Sequence, residues 1–131
     1  MSEANKTLAR QFIQGFWNEG ESECAERLLA ADYTDHAYQP GNKDGLLQMA
    51  GVLNAAFPDQ SSTEESIVAF EDRVIVRLRM RGTHLGPFRG KEATNRPIDV
   101  QLYREFRIVD GRISEHWALF DTLALLRQIG D

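Results

Sequence analysis

The pair Asp110–Gly111 constrains this chain more than any other feature. Both residues tolerate positive φ, which the tight two-residue turns between antiparallel strands require. Residues 103–109 lead into the pair and residues 113–120 leave it, both with apolar residues alternating at strand spacing. A two-residue loop fixes the register of such a hairpin. Ile108 is expected opposite Ile113, Phe106 opposite Glu115, Arg104 opposite Trp117 and Leu102 opposite Leu119, with Val100 near Asp121. One face of the ribbon is then apolar, with Arg104, Glu115, Trp117 and Asp121 set into it. Ionisable groups on an apolar face call for a reason.

The N-terminal half reads differently. Leu8, Ala9, Phe12, Ile13, Phe16 and Trp17 recur at helical spacing over residues 3–19, which predicts a helix with a broad apolar stripe. Its inner edge, at Phe16, is placed to line a pocket. Ser22 is a cap for a shorter helix carrying Cys24, Ala25, Leu28 and Leu29. Residues 32–38 suit a short strand with Tyr33 and Asp35 on one face and His36 and Tyr38 on the other. Asn42 or Asp44 can cap a third helix that Pro58 ends. Beyond it the period changes to two. Residues 62–70 and 73–84 read as strands around a turn at Glu71–Asp72. Val74, Val76, Leu78 and Met80 alternate with Arg77, Arg79 and Arg81, so the arginines are read as an outer face paired with Asp99 and Glu105. The same parity brings His84 to the rim of the inner face. Leu123, Leu126 and Ile129 predict a short closing helix. The layout is α+β: a cone-shaped, curved antiparallel sheet wrapped on three N-terminal helices, with a short C-terminal helix, in one domain spanning 1–131.

Composition removes several function classes. A net charge of −5 and a pI near 5.2 argue against a nucleic-acid or anionic-membrane partner. No apolar run approaches the ~20 residues of a membrane span. The first residues lack a signal-peptide layout, so a cytoplasmic protein is expected. Cys24 is the sole cysteine, and the three histidines are too widely spaced to suggest a metal site, so no metal is expected.

Several short strings add up to a pattern. Tyr33-Thr34-Asp35-His36 follows the second helix and Phe57-Pro58-Asp59 ends the third. Glu71-Asp72-Arg73-Val74 leads to Arg81-Gly82-Thr83-His84. Asp110-Gly111-Arg112-Ile113 leads to Glu115-His116-Trp117, then Asp121 and a Leu-rich tail. Across almost the whole chain this resembles the SnoaL-like polyketide cyclases (ester cyclases) of the nuclear-transport-factor-2-like superfamily. Where that family often has Pro-Thr-Gly before the fourth strand, this chain has Ala93-Thr94-Asn95. Asn tolerates left-handed backbone, so the loop is expected to survive. The resemblance implies a deep pocket between sheet and helices, and an intramolecular aldol ring closure that needs no metal or cofactor. It also implies that the aspartate four residues beyond the tryptophan, here Asp121, serves as acid and base.

From the residues alone, Asp121 is either a helix N-cap, worth about 1 kcal/mol, or a carboxylate at a pocket floor suited to proton transfer. The resemblance selects the second role. His84 joins it as a catalytic candidate, and His36 is the other histidine able to polarise a substrate oxygen. Trp117 and Phe16 are expected to shape the cavity. Arg104, opposite Trp117 and diagonal to Glu115, is either a structural ion pair or an orienting group for substrate. His116 points outward under strict alternation, and only a bulge would turn it in. The expected ligand is a small hydrophobic or polycyclic carbonyl compound. Isomerisation, epoxide hydrolysis or a non-catalytic binding module are the alternatives on the same fold. The Arg-, Gln- and Tyr-rich outer sheet face predicts a homodimer.

Overall fold

Alternation with a period of two builds a five-stranded sheet in the C-terminal two-thirds of the chain, and the apolar stripes of the preceding helices close its inner face. A computed structural model describes residues 2–130. Met1 and Asp131, the ends of the expected domain, lie outside the described residues. The helices are α1 (Ser2–Phe12), α2 (Glu23–Leu28), α3 (Lys43–Ala56) and α4 (Thr122–Gln128). The strands are β1 (Leu29–Asp35), β2 (Ser61–Phe70), β3 (Arg73–Thr83), β4 (Pro97–Val109) and β5 (Arg112–Phe120). The sheet order is β1-β5-β4-β3-β2. Strands β2 to β5 form the expected antiparallel meander, whereas β1 adds to the β5 edge in parallel.

The inner face is built as the pattern predicts. Val74, Val76, Leu78 and Met80 of β3 are buried, as are Ile98, Val100, Leu102, Phe106 and Ile108 of β4. They pack with Phe12, Phe16, Leu46, Leu53 and Phe57 from the helices in one core. Full burial of each large side chain contributes on the order of 1.5–3 kcal/mol. The arginines of β3 lie on the other face. Arg79 bridges Asp99 and Glu65, and Arg81 meets Asp99. Glu105 pairs with Arg73 instead.

The first helix does not run regularly to residue 19. After Phe12 it widens into a π-helical segment, Ile13–Asn18, closed by the Glu19 N–H donating to the Gln14 carbonyl at 2.9 Å. The extra residue in the turn rotates both Phe16 and Trp17 into the interior. Phe16 stacks on Phe12 with centroids 4.9 Å apart and meets Trp17 edge-on at 5.0 Å. Gly15 sits where a Cβ would stand 2.5 Å from the Cys24 sulfur, so the close approach of α2 needs glycine there. Asn42 caps α3, its side chain accepting from the N–H groups of Asp44 and Gly45. In the loop before β4, Asn95 adopts φ +61°, the left-handed conformation expected of it.

Candidate active site

The hairpin register holds for Val109–Arg112 and Ile108–Ile113 and then shifts. Ser114 is an extra residue, so Arg107 pairs with Glu115, Phe106 with His116, Glu105 with Trp117 and Arg104 with Ala118. A β-bulge of this kind reverses the facing of every later side chain. The expected pairings of Arg104 with Trp117 and of Phe106 with Glu115 are therefore corrected. Glu115 and Trp117 turn to the outer face, and His116 turns inward, where it is 1% exposed.

Outside, Trp117 stacks on His36 with centroids 4.7 Å apart, under the Arg73 guanidinium. His36 Nε2 lies 2.9 Å from Glu115, which also takes a hydrogen bond from Arg107. These two partners, His36 the stronger, hold the Glu115 carboxyl below the usual carboxylate range.

Inside, a polar chain crosses the core. Arg104 Nη1 lies 3.2 Å from His116 Nε2. A guanidinium only donates, so Nε2 accepts, and the ring proton sits on Nδ1. Nδ1 in turn lies 3.1 Å from Asp35 Oδ2 and donates to it. The Tyr33 hydroxyl donates to the same oxygen at 2.6 Å, and the N–H groups of Ala37 and Tyr38 donate to Oδ1. Burial pushes the Asp35 carboxyl up, but the bonds from His116, Tyr33 and the Ala37 backbone outweigh it and leave the value low. Burial pushes the His116 imidazole down, more than Asp35 raises it, with Arg104 adding to the fall. His116 is thus neutral between a cation and an anion. Arg104 also donates to the Tyr38 hydroxyl at 3.1 Å and lies 3.8 Å from the centre of the Trp17 ring.

This chain ends at a cavity of about 500 Å³, within the ~300–1,000 Å³ of small-molecule sites. Tyr38 and Ala37, then Met49, Val52 and Leu53 of α3, line one side. Phe88, Arg89, Ala118, Leu119, Phe120, Thr122 and Leu125 complete it. The walls are mainly apolar, with Tyr38, Arg89 and Thr122 as the polar groups. A larger depression of about 580 Å³ lies between α2, β1 and the start of α3. It is lined by charged side chains, among which Lys43 pairs with Glu26.

The candidates from the sequence are distributed unevenly around the cavity. Asp121 stands in the chain between two lining residues, Phe120 and Thr122, and does not itself line the cavity. It is exposed, and its Oδ1 accepts the Ala124 N–H at 3.1 Å as the N-cap of α4. Oδ2 has no partner among the described residues. Arg104 reaches the cavity through Tyr38. His84 is fully buried against Phe57, with Nδ1 accepting the Thr94 N–H, and is not on the cavity wall. Phe16 is in the core, and His36 and Trp117 are outside. Asp35, Tyr38 and His116 form the rest of the arrangement and were not expected in it. The strings containing Asp35 and His116 were visible, but the extra residue that turns His116 inward was not.

An apolar cavity between helices and a curved sheet, with a few polar groups on its wall, is the form small-molecule sites take on an α+β fold. The family model for the SnoaL-like polyketide cyclases matches residues 7–129. The chain belongs to that family. It is 30% identical over 123 residues to the nogalonic acid methyl ester cyclase of Streptomyces nogalater, covering 88% of this chain and 90% of that one. Identity to the aklanonic acid methyl ester cyclase DauD of Streptomyces sp. strain C5 is 25%, over 95% of this chain and 80% of the relative. Among solved structures, IdmH of Streptomyces antibioticus, described as a candidate polyketide cyclase, superposes with a TM-score of 0.86. It shares 30% identity over 97% of this chain and 99% of its own.

The shifted groups set a pH signature. His116 binds its proton more weakly folded than unfolded, so below its ordinary value of about 6.5 the unfolded chain takes up a proton that the folded chain refuses. Stability falls as pH drops through that window. Asp35 adds a second loss, beginning only as pH falls below the ordinary carboxylate value of about 3.9. Urea midpoints between about pH 6.5 and about pH 5 are expected to fall less steeply in His116→Gln than in the parent. Equal slopes would contradict a neutral, buried His116.

Proposed function

We propose that this protein is a cofactor-independent acid/base enzyme, a single SnoaL-like domain that closes a ring by an intramolecular aldol reaction on a hydrophobic carbonyl substrate. The reading is supported by the apolar cavity and by Asp121, which stands in the chain between two of its lining residues, Phe120 and Thr122. Asp121 takes a proton from a carbon beside a carbonyl, and the resulting enolate carbon attacks a second carbonyl carbon of the same molecule. The C–C bond forms, and the alkoxide takes back the proton from Asp121. Ala124 fixes one carboxylate oxygen and leaves the other for this exchange. The chemistry needs only proton transfer, and the cavity supplies orientation. The cyclases named for nogalonic and aklanonic acid methyl esters make enolisable polycyclic esters the substrate class to try first. His84, His36, Trp117 and Phe16 take no part in this proposal.

Either methyl ester, incubated with the protein, is expected to yield the ring-closed isomer of unchanged mass. Asp121→Asn is expected to lower kcat at least ~100-fold, the usual scale of general acid–base catalysis, while the ligand dissociation constant changes little. Unchanged turnover in the variant would sink the proposal.

The proposed assembly is a homodimer through the outer sheet face. Its support is the exposure of Val68, Ile75, Tyr103 and Leu119 there, with Val68 paired to Ile75 and Tyr103 to Leu119 across neighbouring strands. Such a cluster is the kind of surface that self-association covers. Sedimentation velocity is expected to give a dimer that Tyr103→Glu converts to monomer; a monomeric parent protein would exclude this assembly.

A further inference from the structure

Arg104 is 2% exposed, yet no carboxylate among the described residues lies within ion-pair distance of it. Buried charges are normally paired directly. Here the nearest compensating anion along the chain, Asp35, stands one imidazole away. Among the described residues, only Nη1 of the guanidinium is bonded, to Tyr38 and His116. The Tyr38 oxygen accepts from Arg104, and its O–H has no protein acceptor among the described residues. Tyr38 lines the cavity.

A carboxylate placed directly on Arg104 would cancel most of its field at short range. A neutral histidine between them fixes the guanidinium geometrically and leaves positive charge beside the cavity. Asp35 itself cannot serve as a base, because both its oxygens are taken up by two donors each. Its task is to hold the His116 tautomer that lets Nε2 accept from Arg104. The Trp17 ring supports the other side of the guanidinium, which matches its delocalised charge.

We propose that Tyr38 and Arg104 form the oxyanion site of the cavity. The Tyr38 hydroxyl donates to the substrate oxygen on which negative charge collects, and Arg104, positioned by His116, Asp35 and Trp17, polarises that hydroxyl. The inference rests on the cavity being the substrate site of the proposed cyclase. It names the group that stabilises the enolate left when Asp121 removes a proton. Tyr38 touches substrate; Arg104, His116 and Asp35 are positioning residues.

A probe that carries its charge on oxygen separates this role from turnover. 2-Naphthol is flat and apolar, and its anion absorbs at longer wavelength than the neutral form. Its binding is followed by equilibrium dialysis and its ionisation by absorbance across pH, for the parent protein, Asp121→Asn, Tyr38→Phe, Arg104→Lys and Arg104→Met. Bound naphthol is expected to ionise about one pH unit below free naphthol, a tenfold change in the ionisation equilibrium. Asp121→Asn keeps the shift, Tyr38→Phe and Arg104→Met lose it, and Arg104→Lys restores part of it. A shift retained in Tyr38→Phe, or naphthol bound with unshifted ionisation in the parent, overturns the oxyanion site and leaves the cyclase reading standing. Absence of any naphthol binding overturns the cavity as a site for aromatic oxygen compounds, and this inference with it. If Arg104→Met does not fold, Tyr38→Phe, which removes one oxygen only, decides the matter.

Discussion

Side chains on a strand alternate between faces, so one extra residue changes the facing of everything after it. Ser114 is that residue in β5. Up to Ile113 the strand follows the hairpin register. From Glu115 on it is displaced by one, and the consequences run through the molecule. His116, Ala118 and Phe120 turn toward the helices, two of them lining the cavity, while Glu115 and Trp117 turn out to meet His36, Arg73 and Arg107. Without the bulge the inner face would carry Glu115 beside Arg104, a directly neutralised pair, and Arg104 would have no reason to reach Tyr38.

The parallel pairing of β1 on β5 uses the same displacement. Asp35 is the register partner of His116, and the His36 N–H donates to the His116 carbonyl at 2.8 Å. Backbone pairing therefore delivers the carboxylate to the imidazole, and the turn after Asp35 adds two backbone donors that hold the carboxylate still. A polar chain through an apolar core is stable only when its members satisfy one another. Tyr33, Asp35, His116, Arg104 and Tyr38 are bonded in sequence, each bond fixing the donor or acceptor role of the next. The widened turn of the first helix contributes the last support by turning Trp17 beneath Arg104.

Much of this was legible in the sequence. The Asp110–Gly111 turn, the inward parity of β3, the Asn42 cap and the three-helix-then-sheet order all follow from local rules, and the structure carries each. The strings around Asp35 and His116 pointed to the family. What the residues did not give was the facing of β5 beyond Ile113. Ser-Glu-His-Trp carries no glycine or proline to mark a bulge, and each face of the strand offers both apolar and ionisable residues, so alternation has two self-consistent solutions. The parallel partner resolves them. Asp35 needs a buried donor, and only the bulged register supplies His116. A pairing between residues so distant in the chain cannot be read from periodicity, which is local. The same holds for Tyr38, whose place on the cavity wall depends on where Arg104 and Trp17 meet and not on its neighbours in the chain.

His116 is a buried, neutral imidazole protonated on Nδ1, accepting from Arg104 and donating to Asp35. The most direct test is the long-range ¹H–¹⁵N correlation spectrum of the histidine rings near neutral pH. His116 is expected to show one protonated nitrogen, assigned to Nδ1, and one unprotonated nitrogen, Nε2, with an Nδ1–H proton that exchanges slowly with water. An Nε2-protonated ring, or an imidazolium with both nitrogens protonated, would contradict it. Either outcome would place His116 outside the chain that orients Arg104.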